Sequence, residues 1–61
     1  MKPTTEQIHN DVIDYLDTLI AHANEAKENF VLKRYEEVAA NLDEVAGAGK
    51  RAEALINKMW E

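Results

Sequence analysis

The chain has 61 residues, no cysteine, and a formal net charge of −5 from 12 acids against 7 Lys and Arg. That length allows one domain, 1–61, near the lower limit for independent folding, and it excludes a disulfide framework or a cysteine-based zinc site. The acidic balance argues against direct nucleic-acid binding, which needs a basic footprint, and leaves basic protein surfaces as partners.

Taken from the start, Met1-Lys2-Pro3-Thr4-Thr5-Glu6 enters polar residues at once, without the apolar stretch of a secretory leader. The longest strongly apolar run, Phe30-Val31-Leu32, is far too short to span a membrane. A cytoplasmic protein with no membrane contact is expected. Thr4 and Gln7 have the spacing of a capping box, in which each side chain satisfies the other's orphan backbone N–H. They open a first helix predicted over 4–28. Its apolar stripe is Val12, Leu16, Leu19, Ala23, Ala26 and Phe30, spaced by threes and fours.

A second stripe runs through Val31, Tyr35, Val38, Leu42, Val45, Gly49, Ala52, Ile56 and Met59. At 100° per residue the two stripes centre about 80° apart, so one straight helix cannot present both to a single partner. The chain is therefore expected to fold back at 28–31. Asn29 is the residue there that best tolerates a left-handed conformation. The second helix is predicted over 31–60, giving an all-α antiparallel hairpin. Ala46-Gly47-Ala48-Gly49 is the rival boundary, since two helical glycines cost about 1 kcal/mol each. A break at 46–49 would give three helices. The stripe passes through Gly49 without losing step, which favours one continuous helix.

Helix 1 is apolar over too wide an arc for one facing helix. Ile8, Val12, Ile13, Tyr15, Leu16, Leu19, Ile20 and Ala23 cover about 160° of its wheel. A lone hairpin would expose Ile13 and Ile20, or else Ile8 and Tyr15. Covering them calls for a second copy and a four-helix bundle. Its core and dimer contacts are expected at Val12, Ile13, Leu16, Leu19, Ile20, Val38, Leu42, Val45 and Ile56.

No enzyme is expected. The chain lacks Ser and Cys, and its threonines and tyrosines have no base at a useful spacing. Gly47-Ala48-Gly49-Lys50 lacks the earlier glycine, the preceding strand and the hydroxyl residue of a phosphate loop. Glu6 and His9 stand in Glu-x-x-His spacing, and a hairpin would bring Glu53 toward them. Doubled by a two-fold, that set could hold a di-metal centre. The plainer roles are a helix-dipole residue for Glu6 and a register-setting residue for His9, so no cofactor is expected. His22 falls among Asp11, Thr18 and Glu25 and reads as a surface histidine. Trp60 can cap the bundle or anchor a partner.

Between Pro3 and Ala26 there is no Lys or Arg. Asp11, Asp14, Asp17, Glu25 and Glu28 therefore display uncompensated negative charge along helix 1. The expected function is a small protein-interaction module acting as a homodimer: an adaptor or inhibitor of phage or mobile-element type, with a protein partner. Two alternatives stand beside it. Those carboxylates could imitate nucleic-acid phosphates and block a DNA- or RNA-binding protein, or the chain could be a di-metal carboxylate bundle.

Overall fold

The computed structural model describes residues 5–59. Two helices, α1 (Thr5–Val31) and α2 (Tyr35–Lys58), form an antiparallel hairpin about three times as long as it is wide, 46 × 15 × 14 Å. The helix runs unbroken through residues 46–49, so the three-helix alternative falls. Thr4 of the capping box and Trp60 lie outside the described residues.

The turn sits about three residues later than the stripes predict. α1 continues through Asn29 and Phe30, and the left-handed residue is Lys33, at φ 62°. Arg34 N–H donates to Asn29 O at 2.8 Å and Lys33 N–H to Phe30 O at 3.0 Å. This pair of bonds is a Schellman motif, and it satisfies the carbonyls that a helix end would otherwise orphan. Asn29 is thus inside the helix. The motif takes a left-handed residue wherever it closes, and a lysine serves here without glycine. Arg34 then caps α2 through its carbonyl, which accepts from Val38 N–H at 3.1 Å, while Glu36 and Glu37 complement the positive helix end.

In α1 the residues that are not exposed are Ile8, Val12, Tyr15, Leu19, His22, Ala26 and Asn29, alternately four and three apart. On α2 they are Val38, Asn41, Val45, Ala48, Ala52 and Leu55 at the same spacing, with Gly47 and Gly49 flanking Ala48. Both sets are heptad seams of the kind that let two helices lie nearly parallel at 8–10 Å. Only Ile8, Ala26, Ala48 and Ala52 are buried among the described residues. Three methyl groups at about 0.8 kcal/mol each amount to roughly one buried leucine. The alanines bring the helices close but stabilise the pair little.

The expected core divides in two. Val12, Leu19, Val38 and Val45 line the seam, half-buried. Ile13, Leu16, Ile20, Leu42 and Ile56 do not: they are 43, 43, 54, 54 and 38% exposed. Of the two ways a lone hairpin could leave apolar residues uncovered, the structure adopts the one that buries Ile8 and half-buries Tyr15. His22, expected on the surface, sits in the seam instead.

Candidate functional site

One step C-terminal of each seam residue turns the helix about 100° to one side. In antiparallel helices that step leads both chains to the same side of the hairpin. On α1 it reaches His9, Ile13, Leu16, Ile20, Ala23, Lys27 and Phe30, and on α2 Ala39, Leu42, Ala46, Gly49, Glu53 and Ile56. Tyr35 continues this row at the start of α2. Two groups of contacts confirm the assignment. A Cβ on Gly49 would stand 3.7 Å from Leu19 Cδ1, so Gly49 flanks the seam on this side. The polar contacts of the seam all lie on the other.

The apolar face ends at the turn in an aromatic pair. Phe30 and Tyr35 meet edge to face, with centroids 5.8 Å apart and planes at 65°. Both rings are more than half exposed, as are Val31 and Leu32 beside them. Lys27 and Glu53 are the two charged residues in its central rows, so one face of an acidic protein is nearly free of charge.

The opposite face carries the acids. Asp11, Asp14, Glu25 and Glu28 are exposed there, whereas Asp17 lies on the outer edge of α1. Asn29 Nδ2 donates to Asn41 Oδ1 at 2.8 Å, and Asn41 Nδ2 donates to Glu25 Oε2 at 3.1 Å. Glu25 Oε2 also lies 3.8 Å from His22 Nδ1, a buried nitrogen with no hydrogen-bond partner. At that distance the contact is an ion pair only with a protonated imidazole. Asparagines in a seam satisfy each other only in one alignment, so this chain of side chains fixes which residues of α1 and α2 stand level. Sequence reasoning placed Glu25 on the face but missed Asn41. A polar residue at seam spacing between Val38 and Val45 was the available signal.

Thr18 Oγ1 donates back to Asp14 O at 3.1 Å, so its hydroxyl serves its own helix. Glu6, His9 and Glu53 are all exposed. Among the described residues no three His, Asp or Glu side chains come together as a metal site, so one hairpin does not assemble that set. Glu53 stands level with a residue nearly two turns beyond His9. An open dent lined by Lys50, Glu53, Ala54 and Asn57 belongs to the surface of α2 alone. It brings no second element to a reacting group.

No helix among the described residues is long and apolar enough to cross a membrane. Comparison with protein-family models, with curated proteins and with solved structures finds no match to this chain.

Proposed function

We propose that the protein is a non-enzymatic interaction module that works as a homodimer, two hairpins closing into a four-helix bundle that binds a protein partner in the cytoplasm. The carrying observation is the placement of Ile13, Leu16, Ile20, Leu42 and Ile56 on one exposed side. Each large apolar side chain is worth about 1.5–3 kcal/mol when fully covered. The surface area supports the same reading. A folded monomer of 6.9 kDa exposes about 4,000 Å², whereas this chain exposes 5,009 Å². The surplus, about 1,000 Å², is close to the roughly 800 Å² that each partner contributes to a stable interface. Sedimentation at micromolar concentration tests the dimer, with melting that rises with protein concentration as the companion result. A folded monomer with concentration-independent melting refutes it.

In such a dimer the acidic side stays open, which favours one further reading: an inhibitor of adaptor size whose carboxylates occupy a basic groove. Asp11, Asp14 and Glu28 are exposed there and make no ion pair among the described residues. A pull-down from the host, with mass identification, supplies the partner. Asp14→Lys with Glu28→Lys should then abolish its binding, whereas Glu36→Lys with Asp43→Lys, equal in charge change but on the outer edge of α2, should not. Mimicry of phosphates also makes binding weaken steeply with salt, and apolar docking does not. Equal loss from both charge pairs would point to general electrostatic attraction instead.

A further inference from the structure

We infer that the turn carries a device against helix exchange: the seams of α1 and α2 are set out of step, so two chains that straighten at the turn cannot swap helices into a closed pair. This goes beyond the homodimer reading and does not rest on it. It requires that any dimer be made of intact hairpins.

The hazard is built into the sequence. Only Leu32, Lys33 and Arg34 separate α1 from α2, and no Gly or Pro lies between Thr4 and Ala46. Three residues turning helical would join the helices into one rod and release the left-handed Lys33. The seam resists weakly, since it buries only one isoleucine and three alanines. In an antiparallel pair of such rods, α1 of each chain would meet α2 of the other, which is a low-cost route to a swapped dimer.

The spacing of the seam blocks that route. A straight pair of rods needs seam residues alternately four and three apart along its whole length. Continued past Asn29, that rule falls on Lys33, Glu36, Ala40, Asp43, Gly47 and Lys50. The seam of α2 runs instead through Val38, Asn41, Val45, Ala48, Ala52 and Leu55. Asn29 to Val38 is a step of nine residues, where seven or eleven would keep time. Two residues of error turn the α2 seam about 150° round the rod, nearly to its far side.

A second rod lying along the α1 seam would therefore meet Glu36, Asp43 and Lys50, all exposed in the hairpin. Extended backward from Val38, the α2 seam runs into Arg34, Lys27 and Asp17. Straightened chains could bury one seam against one neighbour and the other against a second. That contact is heterologous and gives an open-ended row, not a closed pair. Folding back satisfies both seams within one chain.

Asn29 and Asn41 touch across the seam, and the chain has no cysteine. Asn29→Cys with Asn41→Cys in one chain should cross-link within that chain. Chains carrying Asn29→Cys alone, unfolded and refolded with chains carrying Asn41→Cys alone, should give no cross-linked dimer at any concentration. A dimer band on a denaturing gel would show exchange and overturn the inference, whatever mass sedimentation gives for the native protein. Two deletions isolate the phase. Removing Lys33 and Arg34 shortens the step to seven and brings the seams into line, whereas removing Leu32 as well makes it six. Both lose the turn, but only the first should form a discrete dimer, a rod about 80 Å long in small-angle scattering. Equal pairing by both, or pairing by neither, refutes the role of the step.

Discussion

The seam that closes the hairpin and the face it leaves open are built from different residues. The seam sets Ala26, Ala48, Ala52, His22, Asn29 and Asn41 among Ile8, Val12, Tyr15, Leu19, Val38, Val45 and Leu55. The open face holds Ile13, Leu16, Ile20, Leu42 and Ile56. In most small domains the larger apolar side chains are inside. Here the inner contact supplies closeness and alignment, while five large apolar side chains stay largely exposed on the outer face. The difference teaches that a single hairpin is an incomplete stability unit, and that specificity and strength reside on separate sides of it.

The largest test strikes the open face. Leu16→Ala or Leu42→Ala should cost about 2–5 kcal/mol if another chain covers these residues, enough to unfold so small a domain. On a solitary hairpin a half-exposed leucine would cost well under that, near the ordinary surface range of about 0.5 kcal/mol. Thermal unfolding at several protein concentrations distinguishes the two.

The seam gives the next effect. Asn41→Ala removes the bonds to Asn29 and Glu25, a loss of about 1–2 kcal/mol at 0.5–1.5 kcal/mol per bond. The denaturant midpoint should fall with an unchanged slope. An unshifted midpoint would mean that water replaces both bonds without loss and that alignment comes from elsewhere.

The glycines compare the two sides directly. A Cβ on Gly47 meets nothing within 4 Å, so Gly47→Ala should gain about 1 kcal/mol of helix propensity. A Cβ on Gly49 makes only an ordinary contact with Leu19. In a lone hairpin Gly49→Ala should therefore gain as much. With a side chain of a second copy seated there, it should gain less or lose. Melting temperatures of the two variants decide. Lys33→Gly has the smallest expected effect, a few tenths of a kcal/mol. It relieves left-handed strain of about 1–2 kcal/mol, most of it offset by the added freedom of the unfolded chain.

Much of the fold was legible because helical periodicity survives in the absence of turn signals. The phase break revealed two helices, and the stripe through Gly49 correctly predicted one continuous α2. The direction of the seam was not legible. Leu16 and Leu42 were grouped with Leu19 and Val45 because a stripe chosen by hydrophobicity averages two adjacent surfaces and points between them. Asn41 and His22 were passed over for the same reason, being polar residues at seam positions. The turn was placed early because neither Gly nor Pro marks it, and the Schellman motif at Lys33 is made of backbone bonds. Of the candidate site, the exposure of Asp11, Asp14 and Glu28 was readable from charge alone. The Glu25 contact with Asn41 joins residues 16 apart and needed the hairpin's alignment.

The alanine seam also has a calorimetric consequence. The heat-capacity change of unfolding follows newly hydrated apolar surface, and an average domain shows about 12–15 cal/mol/K per residue. A hairpin that buries three alanines and one isoleucine, and only half-covers its valines and leucines, hydrates little when it opens, so alone it should fall well below that value and melt broadly. Two hairpins joined through isoleucine and leucine should approach it. The curvature of stability with temperature would then come mainly from the contact between chains.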